Sequence, residues 1–135
     1  MRFDRDGFRQ YIAAFNARDF DGFTRFYHPD VVLSLGGKRE LRGRQGIIDF
    51  YTEVMQRCHE KLDIVAVVAD ENGLAAEVDT EFKALADWPD FIAGPLVPGQ
   101  SIFLSSLVLY QLKDGLIAGI RSGRSRQPVT GPSTF

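Results

Sequence analysis

Residues 74 to 86 hold a run that an extended chain satisfies and a helix does not. In Ala75-Ala76-Glu77-Val78-Asp79-Thr80-Glu81-Phe82 an acid recurs at every second position. A strand turns successive side chains to opposite faces. Glu77, Asp79 and Glu81 therefore share one face, and Ala76, Val78, Thr80 and Phe82 the other. Simple amphipathic logic sends the acids to water and the second set to a core.

The rest of the chain organises around that strand. Residues 4 to 17 read as a helix, with Asp4 or Asp6 as cap and Phe8, Tyr11, Ile12 and Phe15 on one stripe. A second helix is predicted after Asp19, burying Phe23, Phe26 and Tyr27 and ending at His28-Pro29-Asp30. VVLSL at 31 to 35 reads as a short strand and Gly36-Gly37 as a turn. A third helix is expected from 43 to 57, with Ile47, Tyr51, Val54, Met55 and Cys58 on one side. Strands follow at 61 to 69, 74 to 86, 101 to 112 and 116 to 125. The first two join at Asp70-Glu71-Asn72-Gly73, and a loop with three prolines fills 87 to 100. The expected fold is α+β, three N-terminal helices on one face of a curved, mostly antiparallel sheet. It is expected as one domain over 1 to 127, with a flexible polar tail from 128 to 135.

Composition narrows the function classes. The formal charge is −2 over 135 residues, which argues against nucleic acid or an anionic membrane as partner. A lone cysteine, Cys58, excludes an internal disulfide and a cysteine-built metal site, and fits a reducing cytoplasm. His28 and His59 lack metal-ligand spacing to each other. MRFDRDGF has acids and no apolar run, so no secretory leader is expected. There is no GxGxxG, Walker loop or GxSxG, so no nucleotide cofactor is expected and no cofactor or metal is assigned.

The element order resembles the nuclear-transport-factor-2-like superfamily, and within it the SnoaL-like polyketide cyclases, ketosteroid isomerases and limonene-epoxide hydrolases. The resemblance spans roughly residues 5 to 125 and is carried by YIAAFNARDFDGFTRFYHPDVVL, RGRQGIIDFY and LYQLKDGLIAGIRS. It implies a cone-shaped cavity between helices and sheet. Against the isomerases, Tyr11 matches the oxyanion tyrosine, and Tyr27 and Tyr51 match its supporting tyrosines. The isomerase base position falls on Leu35 and the oxyanion aspartic acid on Val108. Against the epoxide hydrolases, Asp79 matches a catalytic aspartate. The arginine position falls on Glu77 and the last-strand aspartate on Ser122, where the SnoaL cyclases also keep an acid. In these relatives the Glu77/Asp79 face looks into the cavity.

Three readings follow. As a small cofactor-independent enzyme, the chain would shift a proton on an apolar oxygenated molecule or cyclise it, with epoxide hydrolysis as the lesser alternative, and with Asp79 as base, Glu77 beside it and Tyr11 on the oxyanion. Tyr27, Tyr51, Leu35, Ser106, Val108, Tyr110 and Ser122 would line the pocket, Trp88 and Phe91 would cover it, and Arg124 would stand at its mouth. As a binding module, the chain would hold a small hydrophobe without chemistry, as the losses at Leu35, Val108 and Ser122 suggest. As a protein-interaction domain, the chain would pair through the open sheet face at Phe103, Leu107 and Leu109, and a homodimer through that face is expected.

Overall fold

Asp4 starts the first helix: its carboxylate accepts the Gly7 N–H at 2.8 Å. The computed structural model describes residues 3–135. In chain order it runs α1 (Arg5–Asn16), α2 (Phe20–Thr24), β1 (Tyr27–Leu35), β2 (Arg39–Arg42), α3 (Gly43–Arg57) and β3 (Cys58–Ala69). Then come β4 (Gly73–Ala84), β5 (Gln100–Lys113), β6 (Leu116–Arg124) and β7 (Val129–Pro132). One curved sheet holds all seven strands, in the order β2-β1-β6-β5-β4-β3, with β7 paired to the start of β5. Only β1 and β6 are parallel among these pairs. Register shifts between Ile64 and Ala66 and between Gln111 and Leu112 bend the long strands, as bulges do. The architecture is the expected α+β cone.

Four local differences from the sequence reading have physical causes. The second helix is only five residues long, because the chain is already extended at Tyr27. Pro29 thus sits inside β1, where pairing with β6 breaks between Tyr27 and Val32 and no ladder N–H is required of it. The polar Arg39–Arg42 segment forms a strand that hydrophobic patterning did not mark. The Gly36-Gly37 turn folds it back on the end of β1, with both glycines at positive φ. β3 begins at Cys58, directly from α3. The tail expected to fray instead adds β7 to β5, through Phe103↔Val129 to Gln100↔Pro132.

The core is aromatic. Phe3, Phe8, Phe23, Phe26 and Tyr27 are essentially fully buried. Edge-to-face pairs such as Phe8–Tyr110, at 5.4 Å between centroids, knit α1 to β5. Asn16, at the end of α1, makes two 2.9 Å hydrogen bonds to β3. It donates to the Leu62 carbonyl and accepts the Leu62 N–H. Since β3 is an edge strand, Asn16 occupies the place a neighbouring strand would take. α1 is thereby held over the concave face, leaving space between helices and sheet.

Candidate functional site

That space is a cavity of about 340 Å³. α1 contributes Tyr11 and Phe15, and α3 contributes Phe50, Tyr51 and Val54. From β4 the lining residues are Val78, Thr80 and Phe82. These are the even positions, so the odd-numbered acids look the other way. Asp79 accepts a 2.6 Å hydrogen bond from Ser105 Oγ. Glu77 has Ser125 Oγ at 3.5 Å. Asp79 and Glu77 as a catalytic pair in the cavity are therefore corrected: both belong to the outer sheet face. The amphipathic reading of 75–83 describes this strand, and the face implied by the family resemblance does not apply to it.

Glu81 shares that outer face but is covered. Its carboxylate accepts from Ser101 Oγ at 2.6 Å and from Ser133 Oγ and the Thr134 N–H at 3.0 Å each. Thr134 Oγ1 also donates to it. Burial pulls this carboxyl upward, but the donors from Ser101, Thr134 and Ser133 outweigh burial and leave it below its ordinary value.

The acid that does face the cavity is Glu60, which sequence reasoning missed. Its register partner is Phe82, a cavity residue, and partners across a ladder share a face. Glu60 is 9% exposed and has no side-chain hydrogen bond or ion pair among the described residues. Burial alone raises its carboxyl to about 8. At neutral pH most of it is therefore protonated, and a modest change in surroundings ionises it. The signal lay in Cys58-His59-Glu60-Lys61-Leu62, where Glu60 alternates with two apolar residues. Placing the start of the strand at 61 hid it.

The tyrosines surround this acid. Tyr11, Tyr51 and Tyr110 line the cavity with Glu60. Tyr27 does not; it is fully buried behind Tyr11, and the two hydroxyls lie 2.7 Å apart in a hydrogen bond. Tyr27 as a substrate contact is thus corrected to a support for Tyr11. The Arg44 guanidinium grips the Tyr27 carbonyl with two donors, at 2.8 and 2.5 Å, anchoring α3 on β1. All four tyrosine hydroxyls are held well above their ordinary pKa, chiefly by burial and further by neighbouring tyrosines and, for all but Tyr110, Glu60. They stay neutral hydrogen-bonding groups.

Leu35, Ser106, Val108 and Ser122 line the sheet wall, and Arg124 stands at the end of β6. Phe91 lines the cavity from the loop after β4. Trp88 does not, and its role as a cover is corrected. It faces a polar groove of about 470 Å³ outside the cavity, and Arg57 lies 4.6 Å above its ring centre. Thr80 and Lys38 are lining residues the sequence reading did not name. Among the described residues no group of three His, Cys, Asp or Glu is disposed to hold a metal, and no helix is long and apolar enough to cross a membrane.

Residues 8–120 match the SnoaL-like domain. The chain belongs to the SnoaL-like family. Among solved structures, this SnoaL-like chain is similar to a candidate polyketide cyclase from Pseudomonas putida KT2440, at 25% identity and TM-score 0.75 over 86% of each chain. It is also similar to a candidate polyketide cyclase from Silicibacter sp. TM1040, at 26% identity and TM-score 0.71 over 89% of this chain and 87% of that one. An epoxide hydrolase from M. tuberculosis shares the fold at 15% identity and TM-score 0.72, over 89% and 80% of the two chains. No curated protein matches the SnoaL-like chain. Within this family fold, Leu35, Val108 and Ser122 line the cavity but bring no acid to it.

Proposed function

We propose that the chain is a small enzyme that moves a proton on a mostly apolar, oxygenated molecule, with Glu60 as the proton carrier. The observation that carries this is a single unpartnered carboxyl on the wall of a cavity whose other lining is mainly apolar or hydroxyl-bearing, apart from the exposed Lys38 and Arg124. Ionised Glu60 takes a proton from a carbon next to a carbonyl. The charge that builds on the carbonyl oxygen is met by a hydroxyl facing the cavity, for which Tyr11, polarised through Tyr27, is the candidate. Glu60 then returns its proton to another carbon in an isomerisation, or to the alkoxide left when the carbanion adds to a second carbonyl in a cyclisation, and either step balances with no other reactant. A carboxyl near 8 suits this exchange, since it is available in both forms around neutral pH. The polyketide cyclase names of the similar structures fit a cyclisation or isomerisation of this kind. The test is Glu60→Gln on any substrate found among aromatic and polyketide-like ketones: turnover falls about 10²- to 10⁴-fold with the fold intact.

A non-catalytic carrier for a small hydrophobe is the second reading. It is favoured by the apolar residues Leu35 and Val108 on the cavity wall. Binding without product, unaffected by Glu60→Gln, would support it. In either reading we propose self-association through the outer sheet face. Val68 (65% exposed), Leu107 (58%) and Leu109 (38%) leave apolar surface there. Val68, Ala75 and Leu109 lie side by side across three strands. Light scattering on the eluted protein returns a dimer if this holds and a monomer if it does not.

A further inference from the structure

The charged residues of the cavity are unevenly placed. Three side chains lining it are acidic or basic in type: Glu60, mostly protonated at neutral pH, and the cations Lys38 and Arg124. Glu60 is buried in the wall, whereas Lys38 and Arg124 are exposed. Topology brings the two cations together. β1 and β6 run parallel and in register at Leu35↔Ser122, so both strands leave the sheet at the same rim. Arg124 follows Ser122 by two positions and so returns to the same, cavity-lining side. Lys38 follows Leu35 through the Gly36-Gly37 turn, fixed by its own N–H donating to the Leu35 carbonyl at 2.9 Å. Neither cation is in an ion pair among the described residues. The two acids nearest Arg124 in ladder terms, Glu77 and Asp79, are on the other face and meet Ser125 and Ser105 instead.

We propose that the cavity takes an apolar acid: its aromatic or hydrocarbon body fills the interior, and its carboxylate rests between Lys38 and Arg124 at the mouth. This rests on the proton-transfer reading of the same pocket and narrows its substrate to an oxo acid, with the carbonyl inside and the anion outside. The division follows from elementary electrostatics. An anion moved into the apolar interior loses its water and finds no cation there. At the mouth it keeps part of its hydration and gains two positive neighbours, one of which offers a planar fork matched to a carboxylate. A neutral carbonyl can accept a hydrogen bond from that pair but gains less from it than an anion does. The apolar walls beside the rim concentrate the field of the two cations and draw anions to the opening.

The discriminating experiment compares two probes of similar size and shape, naphthoate and its neutral counterpart acetonaphthone, by calorimetric titration of the whole chain. The wild-type protein binds naphthoate about fivefold or more tighter, a preference that shrinks as salt is added. The Lys38→Met/Arg124→Met double variant loses that preference and binds acetonaphthone as before. Both positions are exposed, so an unchanged melting temperature confirms folding. Equal binding of the two probes by the wild type, or a double variant that keeps the preference, overturns the anionic mouth. If that happens while Glu60→Gln still abolishes turnover, the mouth falls alone. If neither probe binds, the cavity is not a ligand site of this class and both proposals fall.

Discussion

Asp79 and Thr80 are neighbours in the chain and lie on opposite sides of the sheet. Thr80 lines the cavity, while Asp79 takes the Ser105 hydroxyl on the outer face. The pocket therefore takes its carboxyl from β3 rather than β4: Glu60 is the one carboxyl among the lining residues.

Glu60 makes stability depend on pH in a defined direction. Its folded value, about 8, lies above the ordinary 4.5, so the folded chain holds this proton more tightly than the unfolded one. The contribution is complete below about 4.5 and is lost as pH rises toward and through 8. Glu60→Gln removes the dependence. Denaturant unfolding at mildly acid and mildly alkaline pH is expected to show the variant gaining on the wild type at the alkaline end, by on the order of a few kcal/mol.

The Tyr11–Tyr27 hydrogen bond predicts a non-additive pair. Tyr11→Phe or Tyr27→Phe leaves one buried hydroxyl without its partner, at a cost of roughly 1–3 kcal/mol each. In the double variant no hydroxyl remains to be stranded. Its loss of stability is therefore clearly less than the sum of the two, as a double-mutant cycle in urea will show.

Glu81 is the anchor of the C-terminal strand. Glu81→Ala removes the acceptor of Ser101, Ser133 and Thr134, and destabilises by roughly 1–3 kcal/mol at neutral pH. Because its carboxyl sits below the ordinary value, the wild type draws on it above about 4.5 and loses it as pH falls through the lower, folded value. Hydrogen exchange is expected to accelerate at the β7 amides of Val129, Thr130 and Gly131 in the variant, and in the wild type only in acid.

Cys58 is inert. It is fully buried, its thiol is pushed up to about 12 by burial and by Glu60 against an opposing pull from Arg18, and it donates to the Val54 carbonyl. Iodoacetamide at mildly alkaline pH modifies it only at the rate of unfolding.

The sequence made the long periodic elements legible because burial there follows a simple repeat. Phe8, Tyr11, Ile12 and Phe15 announce α1, and the alternation through 75–83 announces both β4 and the side its acids take. It did not reveal β2 or β7, whose four residues each are too few to show an alternation and which form strands through their neighbours' open hydrogen bonds. Nor did it separate Tyr11 from Tyr27 or Phe91 from Trp88. Each pair shares an apolar stripe or loop, and only packing decides which ring meets the cavity. Glu60 was missed for a different reason. It stands three residues after a helix end, where the period changes from helical to extended, and starting the strand at 61 instead of 58 left it out.

The most direct measurement is turnover of one shared substrate by Glu60→Gln and Asp79→Asn, prepared and assayed side by side. The structure predicts that Glu60→Gln loses about two orders of magnitude or more in rate and that Asp79→Asn stays within about twofold of wild type. The reverse, with Asp79→Asn inactive and Glu60→Gln unaffected, would contradict Glu60 as the proton carrier and return the chemistry to the outer face of β4.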